Sequence, residues 1–368
     1  MGTRGIPNHY GGFEQITAYL APGLVNRGHQ VTVYNTHDHP YQQADWKGVE
    51  IVHCYNPESQ LGTFGQFIYD LNCILDARKR RFDVILFMGY TSSSVWGKLF
   101  PENTTIISNM DGLEWKRSKY SWPVRQFLKC AERLAVKYSH YYIADSAVIK
   151  SYLQKKYSIY SAFIAYGAEP YVADDIQLID EFDLKPHEYF LLVARMEPEN
   201  NIEMILQGFS SGASSKKFLV VGNTDNKFGR YLRNKFKYDD RICFHAAIFD
   251  ISIIQRLQHY AHLYFHGHSV GGTNPSLLEA MAGGALVAAH DNSFNRSVLN
   301  QNAFYFSSPE DVQWLTEVVS RHQAEQAMIE RNHQRIDKFY NWERIIDQYE
   351  NYIVACYYSM NYEQILAY

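Results

Sequence analysis

Short apolar runs recur along the chain, with room for one helix between most neighbours. In the first half these runs are "HQVTVYN", "VEIVHCYN", "DVILFMG", "TTIISN", "YYIADS" and "AFIAYG". In the second half they are "YFLLVAR", "FLVVG", "ICFHAAI", "LYFHG", "ALVAAH" and "AFYFS". Several carry apolar residues at odd and even positions alike, the pattern of strands buried on both faces of a parallel sheet. Helical patterns fill the intervals. The pattern predicts an α/β chain in which a βαβ rhythm runs twice. Between the two halves lies "EPYVADDIQLIDEFDLKPHE", acidic and rich in turn formers. The expected domains are therefore 1–169 and 170–340. A last helical stretch, 341–368, follows the final strand and can cross back to the first domain.

Composition narrows the class. With 368 residues, 46% of them hydrophobic, the chain can fill two cores. An aromatic content of 15% argues against disorder. No apolar run approaches the roughly 20 residues that span a bilayer, and no basic-then-apolar stretch opens the chain as a secretory signal would. The five cysteines form no CxxC pair, which fits a reduced, cytoplasmic setting better than a disulfide or zinc scaffold. Residues 1–169 hold 18 Lys and Arg against 14 Asp and Glu, whereas the remainder holds 17 against 25. The first half is thus basic and suited to an anionic surface or substrate. A net charge of −4 and the lack of a nucleic-acid motif exclude nucleic acid as the expected partner.

Three stretches carry chemistry. In "HGHSVGGTNPSLLEAMAGGALVAAH" a strand ends in a Gly-rich turn. Asn274 then stands where an N-cap belongs, with Pro275 at the first helical position. Exposed N–H groups at such a helix start form an anion site. Glu279 lies one turn further on the same face, where a carboxylate can accept hydrogen bonds from two adjacent hydroxyls such as those of a ribose. In "LLVARMEPENNIEMIL" Arg195 directly follows a buried strand, a place from which a guanidinium can clamp a diphosphate. The opening stretch "MGTRGIPNHYGGFE" is a glycine-rich loop of the kind that cradles a ligand.

Taken together, these stretches resemble the retaining glycosyltransferases of family 4, which have the GT-B fold of two Rossmann-like domains. The chain is most similar to a bacterial rhamnosyltransferase-like branch. "GIPNHYGGFEQITAYLAPGLVNRGHQVTVY" is similar to the family's glycine-pair loop, helix and following strand, and "NMDGLEWKR" to a stretch of the branch. "ARMEPENNIEMIL" and "GGTNPSLLEAM" resemble its donor-diphosphate and nucleotide-sugar motifs. The resemblance implies that Gly11 and Gly12 let backbone amides approach a diphosphate. It further implies that Arg195 balances the leaving group, that Glu279 holds the ribose, and that Gly272, Thr273 and Asn274 meet the donor through the backbone. The implied reaction transfers a hexose, such as L-rhamnose, from a dTDP-, UDP- or GDP-sugar to a hydroxyl of a glycan or lipid-linked acceptor, in surface polysaccharide synthesis. A sugar-nucleotide epimerase of the same architecture and a non-catalytic binding member are the alternatives.

The chain departs from the family pattern at three positions. Gly271 stands where the first of two paired glutamates is usual, and His268 is close enough either to substitute or simply to pack. Asn200 replaces a lysine, which removes one positive charge; Arg4 can supply it or can form an ordinary salt bridge. Asp111 stands near a usual histidine, where with Glu114 and Arg117 it can orient the acceptor or merely cap a turn. No D-x-D pair ends a strand, so neither metal nor cofactor is expected.

"WKRSKYSWPVRQFLKCAERLAVKY" holds seven basic residues and one acid, Glu132. Arg125, Lys129, Arg133 and Lys137 share one helical face; Phe127, Leu128, Ala131, Leu134 and Ala135 lie on another. Such a helix suits the inner face of an anionic membrane, or packs on the sheet with a solvated basic face. Finally, the family places a short strand before the glycine loop. Its absence here leads us to expect a vacancy in the first sheet and a loosely tethered loop at Gly2–Pro7.

Overall fold

A computed structural model describes residues 1–9, 11–110, 112–117, 120–171, 177–248 and 250–366. The chain divides into two compact units. Met1–Trp115, Ser121–Tyr166 and Trp342–Tyr368 form the first; Lys116–Tyr120 and Gly167–Asn341 form the second. Asp111 lies outside the described residues.

In the first unit β1 (Thr32–Thr36) pairs in parallel with β3 (Val49–Cys54), and β2 (Asp45–Trp46) is a two-residue antiparallel edge. A separate ladder runs β4 (Val84–Met88), β5 (Thr105–Asn109), β6 (Tyr141–Ala144), β7 (Ala162–Phe163), all parallel. The opening segment bonds to both ladders. On one side the Met88 amide donates to the Met1 carbonyl (2.8 Å) and the Met1 amino group donates to the Leu86 carbonyl (3.0 Å). On the other side the Thr36 amide donates to the Arg4 carbonyl (2.9 Å). As expected, no strand joins the two ladders among the described residues, but the expected loose loop is corrected, because its backbone is held on both sides. Unpaired backbone groups of two buried strands are costly, and residues 1–4 satisfy part of them. Ile6 is fully buried, and the Asn35 side chain accepts from its amide (3.0 Å) and donates to its carbonyl (2.8 Å). Gly2 has φ +87°, and a Cβ there would lie 2.5 Å from the Met88 carbonyl oxygen, so only glycine fits.

Helix Gly12–Asn26 and the last helix, Trp342–Leu366, pack together in this unit. Tyr19 stacks on Trp342 with centroids 4.2 Å apart, and Glu350 takes both Arg27 (3.1 Å) and His29 (2.8 Å). The Asn109 amide group at the end of β5 donates to the Tyr349 hydroxyl (2.9 Å).

The second unit is one parallel sheet of six strands: β8 (Tyr189–Val193), β9 (Lys217–Val221), β10 (Ile242–His245), β11 (Leu263–His266), β12 (Val287–His290) and β13 (Phe304–Phe306). Their spatial order is β10-β9-β8-β11-β12-β13. The core is aromatic. Phe190, Phe209, Phe218 and Phe265 are at most 1% exposed, and Phe190 meets the other three with centroids 5.7 to 6.0 Å apart. Because the order reverses between β8 and β11, the loops leaving those two strands diverge to opposite faces and leave a crevice at their carboxyl ends.

Candidate active site

Two loops form that crevice and are bonded to each other. The loop after β8 carries Arg195, the turn Pro198–Asn200 and Asn201. The loop after β11 carries Gly267 to Asn274. The Asn201 side chain donates to the Gly267 carbonyl (2.8 Å), and Ser269 donates to the Glu199 carbonyl through its amide (3.1 Å) and its hydroxyl (2.8 Å). The approach is close: a Cβ on Gly267 would lie 2.0 Å from the Asn200 carbonyl oxygen. Asn200 is buried, and its amide group donates to the Arg195 carbonyl (2.7 Å), which fixes the turn from inside. In place of a lysine's charge the residue supplies a hydrogen bond.

Arg195 is exposed, and among the described residues its guanidinium has no hydrogen-bond or ion-pair partner. Beside it stands His268. Burial, and after it the positive charges of Arg195 and Arg117, hold that imidazole at a pKa of about 3. Its ring stacks on fully buried His266 with centroids 4.4 Å apart. The side chains of Asn292 (3.0 Å) and Asn295 (3.1 Å) both donate to its carbonyl. His268 is therefore a neutral, clamped ring and does not replace a carboxylate in charge.

Helix Pro275–Ala282 starts at this crevice. The Asn274 side-chain oxygen accepts from the Ser276 amide (3.2 Å) and hydroxyl (2.9 Å), as an N-cap does. Thr273 is buried and Gly272 half-buried. Gly271 has φ +142° with open space at its Cβ position, a backbone state that L side chains rarely adopt. Glu279 is half-buried, and its carboxylate adds to the effect of burial in raising the Tyr264 phenol. Of the residues singled out in the sequence, Arg195, Asn200, His268, Gly271, Gly272, Thr273, Asn274 and Glu279 thus share one end of one sheet.

The others lie elsewhere. In the first unit, Gly11 caps helix Gly12–Asn26 in an extended conformation. Arg4 forms a two-pronged pair with Glu58 (2.6 and 3.1 Å), and its amide donates to the Glu14 carboxylate (2.8 Å). Its charge is therefore already balanced by Glu58 and braces the opening loop. Glu114 begins a short turn in the first unit, whereas Arg117 clusters with the second. No sequence signal marks Glu199, whose carboxylate is 2% exposed and meets Arg117 at 3.6 Å. Among the described residues no group of three His, Cys, Asp or Glu side chains could hold a metal ion.

Residues 177–360 match the family described as glycosyl transferases group 1. The chain belongs to that family. Residues 1–169 of this glycosyltransferase match a second family, described as a domain of unknown function (DUF1972). No curated protein sequence matches the chain. Solved structures with the same fold include sucrose-phosphate synthase from Thermosynechococcus elongatus, 16% identical, with a TM-score of 0.72 over 97% of this chain and 94% of that one. Anabaena Alr3699/HepE in complex with UDP-glucose is 14% identical, with a TM-score of 0.76 over 94% and 97%. WaaG, a glycosyltransferase involved in lipopolysaccharide biosynthesis, is 14% identical, with a TM-score of 0.69 over 92% and 96%. The glycosyltransferase thus shares with them an α/β fold of Rossmann-like parallel sheets.

Proposed function

We propose that this glycosyltransferase takes its sugar from a nucleoside diphosphate donor and passes it to a hydroxyl of a glycan or lipid-linked acceptor, with retained configuration. One observation carries the reading. An exposed Arg195 whose guanidinium has no partner among the described residues and the capped start of helix Pro275–Ala282 stand together at the strand ends where the sheet order reverses. A cation and oriented backbone dipoles at such a point suit a diphosphate. That Alr3699/HepE was solved with UDP-glucose supports the same ligand class here.

On this reading Glu279 accepts hydrogen bonds from the ribose hydroxyls, and Arg195 takes up the charge that grows on the departing diphosphate. The transition state is oxocarbenium-like, and the departing phosphate helps to deprotonate the acceptor hydroxyl. The chain contributes position and electrostatics. The L-rhamnosyl donor, the surface-polysaccharide acceptor, a seat on the inner face of the membrane, and the donor-side roles of Gly11, Gly12, Gly272, Thr273 and Asn274 belong to this proposal. Glu114, with Asp111, is kept on the acceptor side.

The test screens dTDP-, UDP- and GDP-sugars for nucleoside diphosphate released only when a glycan acceptor is present. Arg195→Ala is expected to cut turnover ~100-fold, the scale of losing a charge-assisted contact made mainly in the transition state. Release without acceptor, or full activity in Arg195→Ala, would count against the proposal.

A further inference from the structure

In the first unit, helix Ala147–Tyr157 starts just past the end of β6. That is the carboxyl end of the parallel strands, where ligands of such sheets bind. Six of its residues, Ala147, Val148, Ser151, Tyr152, Lys155 and Lys156, line a cavity of about 690 Å³. Their spacing puts them on one helical face. At 1.5 Å per residue that face is about 14 Å long, room for more than one sugar ring. The wall is fixed from behind. The buried Glu132 carboxylate accepts from Lys156 (2.7 Å) and from the Tyr152 and Tyr157 hydroxyls (2.8 and 2.5 Å). Trp115 stands beside it, its ring 6.4 Å from that of Tyr152, with Lys129 (4.8 Å) and Lys156 (5.7 Å) both over the indole.

The charges of this wall call for an anion. Helix Ala147–Tyr157 has no Asp or Glu, and helix Trp122–Tyr138 has only Glu132, which pairs with Lys156. Glu114 and Asp145, the acids nearest in sequence to Trp115 and Ala147, have partners of their own. Neither Lys129 nor Lys155 has a carboxylate partner among the described residues. Two ammonium groups without a counter-charge, next to an aromatic ring and the Ser151 hydroxyl, complement acids carried on sugar rings. A bilayer surface meets what protrudes from a protein, whereas this face is recessed and takes a chain that enters it. We propose that the face binds an acidic oligosaccharide, the part of the acceptor glycan beyond the hydroxyl that is glycosylated. Lys129 and Lys155 meet its carboxylates, and Tyr152 and Ser151 its rings. The inference rests on the glycan-acceptor reading above and gives that acceptor a chemical class.

The experiment uses calorimetry on the full chain with tetragalacturonate, which carries a carboxylate on every ring, and with neutral maltotetraose of the same length. The parent is expected to bind tetragalacturonate ~10-fold more tightly than maltotetraose, with an affinity that falls as salt rises. Lys129→Gln with Lys155→Gln is expected to weaken tetragalacturonate ~10-fold, the scale of two exposed ion pairs, and to leave maltotetraose within about twofold. Lys155→Arg keeps the charge and should bind as the parent does. The double variant is also floated with phosphatidylglycerol vesicles. Equal binding of the two sugars overturns the inference, as does tetragalacturonate binding that ignores both lysines. Lost flotation in a protein that never bound tetragalacturonate overturns it too, because that marks a lipid contact. Acceptor-dependent release of nucleoside diphosphate is followed separately in the parent. Its absence beside lysine-dependent tetragalacturonate binding would overturn the acceptor reading and leave a glycan site; its presence without that binding would remove the site alone.

Discussion

His268 carries a pH dependence that can be worked out in sign. Its folded-state pKa of about 3 lies below the ordinary 6.5, so between those values the unfolded chain binds the extra proton. Stability therefore falls as pH drops from about 6.5 toward 3 and does not change through this group above 6.5. The fully buried His266 ring, also pushed well below its ordinary value, acts in the same direction. Urea midpoints at pH 7.5 and pH 5 should separate in the parent protein and move closer together in His268→Gln; an unchanged gap would show that the ring is not the source. The same pKa keeps His268 neutral from pH 5 to 8, so it offers no proton to the reaction in that range. Reading "HGHSV" alone leaves open whether this histidine packs or reacts. The deciding facts are the burial of the ring and the two nearby guanidiniums, Arg195 and Arg117, which come from residues far apart in sequence.

At the scale of elements, legibility followed the range of the forces involved. All twelve apolar runs became strands, because continuous apolar sequence is what a strand buried on both faces requires. The two-residue β2 gave no signal, since so short an edge has no period to read. The helix Pro275–Ala282 was legible down to its cap, a local pattern of Asn, Pro and an apolar face. Asn274→Ala is therefore expected to cost about 1 kcal/mol of stability, measured as a lowered urea midpoint. If the helix start is also the anion site, diphosphate affinity should fall further than the nucleoside's. A variant as stable as the parent would show that Pro275 alone fixes the start. Two features were not legible. Residues 1–4 bond to both ladders through backbone groups, which leave no trace in side-chain pattern. The segment 116–120 leaves its sequence neighbours for a contact with Glu199 that no periodicity encodes.

At the scale of the whole molecule the question is where the basic charge of the first half ends up. Helix Trp122–Tyr138 has one acid, Glu132, and that carboxylate is 1% exposed. One of its oxygens takes Lys156 (2.7 Å), the Tyr152 hydroxyl (2.8 Å) and the Tyr157 hydroxyl (2.5 Å). The exposed charge of the helix, Arg133 and Lys137, is therefore wholly basic, while Lys129 lies over the Trp115 ring at 4.8 Å. The inward face is Leu128, Ala131 and Ala135. Phe127, expected on that face, is instead 38% exposed and meets Phe67 edge-on at 5.6 Å, and Phe67 stacks on the 63% exposed Phe64 at 5.7 Å. Trp122 at the helix start is 72% exposed. No helix among the described residues is long and apolar enough to cross a membrane. A basic face edged by exposed aromatic rings suits the surface of an anionic bilayer, with the rings at headgroup depth. The protein is expected to float with phosphatidylglycerol vesicles and not with phosphatidylcholine vesicles, and to be released as salt shortens the screening length. Arg133→Glu with Lys137→Glu should abolish flotation, because each exchange reverses a charge worth about 1 kcal/mol at such a surface. Phe64→Ser with Trp122→Ser should weaken it at low salt and hasten release at high salt, while leaving diphosphate binding as in the parent. Flotation that ignores both pairs of substitutions would place the contact on another face, and failure to float at low salt would remove the membrane from the account.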